Sequence, residues 1–393
     1  MIKGEIKMMN TNNLNTTPYL SEEEKVVKIG FATTAEEKME IYRFRYRIYA
    51  EEMSKRFPNM DHTNKLLYDE LDDWAFIVYA KIGSEIIGTL RVNIGEINDF
   101  PLFWVRVLSL KKFSEFTNDH QQFAYTSKFM VAPAYRNSTV SYLLAAESYQ
   151  LYCHHQVQFS FGVCNFHLLR LYEQFGFRRF GQNFIDDGYG LLAPYVLLVD
   201  DIAHLRAVRS PFYRTARKSS SLNSHVVQWF YKEFEESSKT LNSQLVSQEE
   251  LWEFLSTRFG SFPNQALPIL QGLSDIEAIK FLHSCGVVVQ CDAGDQIACQ
   301  GDTNYALNIL IAGQLASVSA SNIVSNQISP AHAIGVNGLV NHPKHTEDIV
   351  AVTDTELLVL SSLAFPKFSN AHPTVANKII QNIGNSIDIH HIG

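Results

Sequence analysis

The sequence predicts an α+β protein in which a mixed sheet with flanking helices is followed by a helical connector and an all-β roll. Three observations carry this. The first half alternates segments of helical spacing with short apolar runs bounded by Gly or Pro, in the order helix, hairpin, strand, helix, strand, helix, strand. From residue 286 the texture changes to short β-rich runs punctuated by Gly and Asn. Charge divides the chain as well: residues 261–393 hold four Lys, ten acids and no Arg, whereas the residues before them hold 29 basic and 31 acidic groups and every arginine. For 393 residues, about 100–200 per domain implies two or three domains.

Residues 1–28 are rich in Asn and Thr, lack an apolar h-region and read as a loose tail, not a signal peptide. A first domain is expected over 29–215. Within it, residues 37–57 have helical spacing and open with acids, and 72–93 form two apolar segments around Gly83-Ser84, a hairpin signal. Residues 125–133 read as a strand closed by Pro133, 139–155 as an amphipathic helix, and 158–164 as another strand. A further helix then runs to Gly176, which stops it. Residues 216–260 read as a connector with helices near 222–240 and 248–258, the second opened by the capping box Ser247 to Glu250. The second domain, 261–393, is the roll, closed by a helix over 373–388.

Composition excludes several classes. With 46% hydrophobic and 19% charged residues, the chain can bury sizeable cores and is not disordered. A formal charge of -8 argues against nucleic acid or anionic lipid as the main partner. The longest apolar candidate, 190–199, ends in Asp200 and Asp201 and is too short to span a membrane. Five Cys without a C-x-x-C pair fit reduced thiols in a cytoplasm and offer no structural zinc site, so no metal is expected.

Two segments carry a resemblance. SKFMVAPAYRNSTVSYLL (127–144) resembles the central strand, phosphate loop and helix of the GNAT superfamily of N-acyltransferases. GVCNFHLLRLYEQFGFRRFG (162–181) resembles the next strand and helix of that superfamily, ending in its Tyr-x-x-x-Gly-Phe signature at Tyr172, Gly176 and Phe177. The front end, residues 42–53 and 69–80, resembles the acyl-homoserine-lactone synthases and the related N-acyl amino acid synthases. The resemblance implies a long-chain acyl donor carried as a thioester, on acyl carrier protein or coenzyme A, and a small amine acceptor.

It also implies site residues. The donor would lie along Phe129, Met130 and Val131, with a backbone N–H near Met130 or Val131 for the oxyanion, and would meet the loop Arg136, Asn137, Ser138, Thr139, Val140 and Ser141. A helix start presents unpaired N–H groups and a positive dipole end, which suits phosphate. The superfamily has small residues where Thr139 and Ser141 stand, and their Cβ atoms crowd a pyrophosphate, so a carrier protein's single phosphodiester fits better. Tyr172 is placed to protonate the leaving thiolate, a phenol near pKa ~10 facing a thiol near ~8.5. For the base, Asp73, Tyr125 and His167 stay open; the lactone synthases have Glu where Tyr125 stands. Arg45, Arg47, Trp74 and Ser127 match front-end and acceptor-side positions.

Residues 265–393 resemble the cyclic nucleotide-binding domain of catabolite activator and kinase regulatory families, through LPILQGLS (267–274), AGDQIACQGD (293–302), LNILIAGQLASV (307–318) and TDTELLVL (353–360). The ligand cassette departs from the pattern. Gly335 is kept, followed by Val336 and Asn337, but Val336 takes the place of the ribose-binding Glu, and the phosphate-binding Arg place falls on Lys344 or His345 beside Thr346. Each bond to a charged group is worth roughly 1.5–3 kcal/mol, so ordinary cyclic nucleotide affinity is not expected. The expected function is N-acyl transfer with an appended regulatory or docking domain. The alternatives are a non-catalytic scaffold keeping both folds and a nucleotide-regulated protein-lysine acyltransferase. Acyl carrier protein and a second copy of the chain are candidate partners.

Overall fold

The computed structural model describes residues 26–116, 121–218, 224–319 and 322–390. Most of the expected N-terminal tail, and part of the helix expected near 222, lie outside them.

The first sheet is built from β1 (Lys28–Phe31), β4 (Phe76–Ile82), β5 (Glu85–Gly95), β6 (Phe123–Val131), β7 (Phe159–Cys164), β8 (Arg178–Arg179), β9 (Phe184–Asp186) and β10 (Gly190–Leu198), while β2 (Met60–Asp61) and β3 (Leu66–Leu67) form a small separate ladder. Its order is β1-β4-β5-β6-β7-β10-β8, with β9 also paired to β10. The β4–β5 hairpin turns at Gly83, at φ 59. Every neighbouring pair is antiparallel except β6 with β7. The mixed sheet read from the sequence is thus present, and β6 and β7 lie at its centre.

Helices cover both faces. α1 (Ala35–Tyr46) opens with a Thr34–Glu37 capping box and continues as a π-turn over Arg47–Glu52, so the helical spacing over 37–57 resolves into two pieces. α2 (Leu102–Val107) and α3 (Leu110–Phe116) lie on one face, and α4 (Val140–His154) and α5 (Leu169–Phe175) on the other. α5 stops at Gly176, whose φ of 106 only glycine adopts without strain. α6 (Ile202–Ala207) and α7 (Tyr213–Ala216) follow. Next come α8 (Ser224–Glu233) and α9 (Glu235–Lys239). Val226, Phe230 and Phe234 of this stretch pack on the α2/α3 face, and Trp229 stacks on Phe116 at 4.2 Å. α10 (Gln248–Phe259) has the expected Ser247–Glu250 capping box and packs on the opposite side of the chain, among α11 (Pro263–Ala266) and α12 (Asp275–Cys285).

The roll has two four-stranded sheets. One is ordered β11 (Gly286–Cys291), β18 (Thr355–Ser361), β13 (Ala306–Ala312), β16 (Ala333–Ile334); the other is ordered β12 (Gln296–Ala298), β17 (Asp348–Ala351), β14 (Leu315–Ser319), β15 (Asn322–Ile328). α13 (Phe365–Ala371) and α14 (Pro373–His390) close the chain. Period-two alternation sorts β11 and β18: Val287, Val289, Leu357 and Val359 join the roll interior, whereas Val288, Leu358 and Leu360 meet the helices.

That roll interior belongs to the same apolar cluster as the α4/α5 face of the first sheet. Arginines stitch the seam: Arg170 Nη1 donates to Gly286 O at 3.2 Å and Arg179 Nη1 to Val288 O at 2.7 Å. Ser361 Oγ donates to His167 O at 2.6 Å. The two halves therefore pack as neighbours over a large apolar contact.

Candidate active site at the end of the central strand

β6 and β7 pair only at Ala124↔Ser160 and Tyr125↔Phe161. Past that point they part, because β6 bulges: the β5–β6 register runs Arg91↔Ser127 and then Thr89↔Met130, so Lys128 and Phe129 together face Leu90. Lys128 takes φ 51, unusual for a long side chain. The bulge aims consecutive residues at one polar cluster: Ser127 Oγ accepts from Arg91 Nε at 2.9 Å, and Lys128 Nζ lies 3.4 Å from Asp69 Oδ2.

That cluster is a buried chain of charges. Arg45 Nη1 donates to Asp72 Oδ1 at 2.7 Å, Arg91 Nη1 to Asp72 Oδ2 at 2.9 Å, and Arg91 also pairs with Asp69. Arg45 is fully buried, with Arg91 at 2% and Asp72 at 1% exposure, so removing the shared carboxylate would leave uncompensated buried charge. Burial would raise the Asp69 pKa, but Arg91 and Lys128 outweigh it and hold the carboxyl at about 2. For Lys128, burial and then Arg91 push the pKa below the ordinary lysine value, with Asp69 pulling back. Rings of Phe57, Tyr189 and Tyr49 enclose its ammonium at 5.3, 5.4 and 5.6 Å, and Nζ donates to the Tyr189 hydroxyl at 2.8 Å.

Tyr172 approaches from the opposite face. Its ring stacks on Tyr195 at 4.3 Å and meets Phe129, at the bulge, edge-on at 6.4 Å. Tyr195 lies flat over β7 only because residue 162 is glycine: a Cβ there would sit 2.4 Å from the Tyr195 ring. Burial drives the Tyr172 pKa well above the ordinary phenol value, so the hydroxyl keeps its proton and is a weaker acid than the match of ~10 to ~8.5 expects.

At the start of α4, Thr139 makes no side-chain cap; instead the Val140 N–H goes to Ser138 Oγ at 3.2 Å, and Asn137 sits at φ 64. Arg136 is already engaged. Its fork grips Glu52 at 2.5 and 2.9 Å, and Nε reaches Val131 O at 3.1 Å. Ser141 is half-buried on the first turn of α4.

The other candidates disperse. Asp73 faces solvent, while its neighbour Asp72 enters the ion network. Tyr125 is buried against Trp104, ring centres 4.7 Å apart, and Trp74 meets Phe100 at 5.4 Å on the same aromatic face. Arg47 is half-exposed, 4.0 Å from Glu85. His167 stacks on Tyr305 of the roll at 5.2 Å, and burial lowers its pKa to about 3, a poor acceptor for an amine proton. Met130 is buried beside α1, and Val131 is half-buried. Among the described residues, no group of His, Cys, Asp and Glu is arranged to hold a metal ion. The site's own charges, Asp69, Asp72, Arg91 and Lys128, with Tyr189, did not stand out in the sequence reading. For Arg91 and Lys128 a signal was there, as single basic residues inside apolar runs (GTLRVNIG, YTSKFMV), since such residues are buried only when paired; Asp69 and Asp72, in the acidic stretch DELDD, carry no such signal.

In the roll, Gly335 takes φ 68 and heads a short 3-10 turn over Val336–Leu339 that includes Asn337. Asn304 fills the space beside Gly335, its Nδ2 donating to Gly335 O at 2.8 Å. Lys344 and Thr346 are exposed; Lys344 bridges Thr303 through its backbone. His345 is half-buried, and burial lowers its pKa.

No described helix is long and apolar enough to cross a membrane. No curated protein matches the chain. Residues 40–200 match the family model of FeeM, an N-acyl amino acid synthase. Among the solved structures similar to parts of the chain are the following three. FeeM from uncultured soil microbes is 12% identical, covering 50% of this chain and 99% of that one, with a TM-score of 0.38. The catabolite activator protein of Thermus thermophilus is 22% identical over 32% of this chain and 60% of that one, with a TM-score of 0.28. A cyclic nucleotide-binding domain from Methylobacillus flagellatus is 19% identical over 37% and 78%, with a TM-score of 0.29. Residues 40–200 thus match an N-acyl amino acid synthase domain.

Proposed function

We propose that the chain is an N-acyltransferase that moves an acyl group from a thioester to the amine of an amino acid. The observation that carries this is the placement of Tyr172 and a buried, partnered Lys128 on either side of the bulge of β6, inside the segment that matches the synthase family. The amine attacks the thioester carbonyl to form the C–N bond, and backbone N–H groups at the bulge near Met130 receive the oxyanion. As the C–S bond breaks, Tyr172 gives its proton to the thiolate. We assign the amine's proton to Lys128 in its neutral form, relayed by the Tyr189 hydroxyl 2.8 Å away, leaving an ammonium beside Asp69.

An acyl carrier protein is the preferred donor in this reading. Arg136 is held by Glu52, Thr139 and Ser141 crowd a pyrophosphate, and Arg206, Arg209, Arg214, Arg217 and Lys218 are all exposed, where an acidic carrier would dock. The roll would act without cyclic nucleotide. Intact-mass analysis of the full chain with acyl-carrier protein, acyl-coenzyme A and mixed amino acids tests the reading: amide products are expected, faster from the carrier and slowed by salt. No amide with either donor would favour a scaffold that keeps both folds.

A further inference from the structure

A cavity of about 90 Å³, walled by polar and apolar groups alike, lies between the two halves of the chain. Lys55, Asn165, His167 and Tyr189 line it from the first half, and Asp302 and His345 from the roll. Asn165 directly follows the last residue of β7, and the Tyr189 hydroxyl is the one that accepts from Lys128. Tyr189 is thus shared between the cavity wall and the contact that holds Lys128.

Its wall carries one charge of each sign, 247 positions apart in the chain: Lys55 Nζ meets Asp302 Oδ2 at 2.7 Å. The Lys55 side chain is 9% exposed and that of Asp302 34%. Asp302 is held in place from its own module, since His345 N donates to Asp302 O at 2.9 Å and Gly301 N to His345 O at 2.8 Å. Thr303 Oγ1 ties the loop to Met53 O at 3.2 Å. Burial lowers the pKa of both cavity histidines, so neither adds a cation.

Lys55 and Asp302 hold each other, so an anion or a cation that took one of them would leave the other unpaired, whereas a zwitterion inserted between them partners both. At about 10–15 Å³ per water, the space holds several waters, which suits the head of a small molecule. We propose that this seam cavity is the acceptor site for an α-amino acid, with Lys55 binding its carboxylate and Asp302, from the roll, binding its ammonium. The assignment of the amino acid as acceptor rests on the acyltransferase reading; the binding of a zwitterion does not. The roll then completes the substrate site instead of acting on it from a distance.

Calorimetric titration of the full chain tests this with glycine, L-alanine, L-leucine and L-phenylalanine, against propionate and alaninamide. At least one amino acid should bind ~10-fold or more tighter than the analogue lacking either charge, the size expected for one charge-assisted bond. Asp302→Asn should bring alanine down to the level of propionate, Lys55→Gln to that of alaninamide, and Asp302→Glu should keep the ammonium preference. Thermal melts check that the variants fold. In acyl transfer, Asp302→Asn should raise KM for the amino acid ~10-fold with kcat little changed. Binding of none of the four amino acids, or variants that leave the analogue preferences intact, overturns the proposal. So does Asp302→Asn turnover that rises at unchanged KM, which would make the roll's loop a block. Zwitterion binding without any turnover would overturn the acyltransferase reading and leave this site standing.

Discussion

The polar cluster behind β6 and the ligand cassette of the roll stand in opposite relation to charge. Behind β6, Arg45, Arg91, Asp72 and Lys128 are withdrawn from water and pair among themselves and with the partly exposed Asp69, although Arg45 Nε and Nη2 make no hydrogen bond. In the cassette, an aliphatic Val336 stands where the resemblance expects a carboxylate, and Lys344 turns to solvent. Enclosed charges are costly unless they hold each other, and once held they bind and move protons in a low-dielectric site. The cassette segment, with Gly335 at φ 68, offers an anion only the exposed Lys344. The comparison teaches that charges enclosed and paired inside a fold differ in kind from charges left at its surface.

The sharpest way to break the comparison is to unpair the network. Asp72→Ala leaves the buried Arg45 and Arg91 without their shared carboxylate, and about 3–5 kcal/mol of stability should go with it. Denaturant unfolding measures this, and a loss under ~1 kcal/mol, the surface-pair range, would mean the network is hydrated in solution. Next, Tyr172→Phe should keep the fold and lower turnover ~10²–10⁴-fold, the usual worth of a general acid; rates equal to wild type with chemistry limiting would remove it from the mechanism.

A third measurement concerns pH. Burial and Arg91 depress the Lys128 pKa, so its neutral form gains as pH rises through that lowered value. The pH profile of kcat/KM should therefore climb to a midpoint below the ordinary lysine value of ~10.4, and Lys128→Met should flatten the climb. The network's acid limit has the opposite sense. With Asp69 held at about 2, its contribution is complete above the ordinary carboxyl value of ~3.9 and is lost only as pH falls toward about 2. The smallest expected effect is none at all: cyclic AMP or cyclic GMP at ~10 μM should not bind the full chain in titration calorimetry at pH 7.5. A dissociation constant at or below that concentration would show that the cassette holds phosphate without its guanidinium.

Much of the architecture was legible because local rules decide it. The Gly83 hairpin, the Ser247–Glu250 capping box and the stop at Gly176 are short-range choices, and each is found where the pattern predicts it. Periodicity also marked β6, β7 and α4 within a residue or two of their ends. The aromatic helices α2 and α3, and α12 ahead of the roll, went unread, since short apolar stretches look alike until something packs on them.

The sequence by itself determined the order of elements, the change from mixed sheet to roll, and the absence of arginine from the second half. Only the tertiary structure decided which charges matter. Asp72 and Asp73 are equivalent as letters, and the 3-10 turn over Glu70–Trp74 buries the first and exposes the second. Lys128 became a partner of Tyr189 and Asp69 through a bulge that moves one residue's side chain across the sheet. Lys55 met Asp302 because two modules packed their apolar faces together and brought the pair to one wall. Burial and pairing are properties of neighbours in space, and a local pattern carries no record of neighbours that far along the chain.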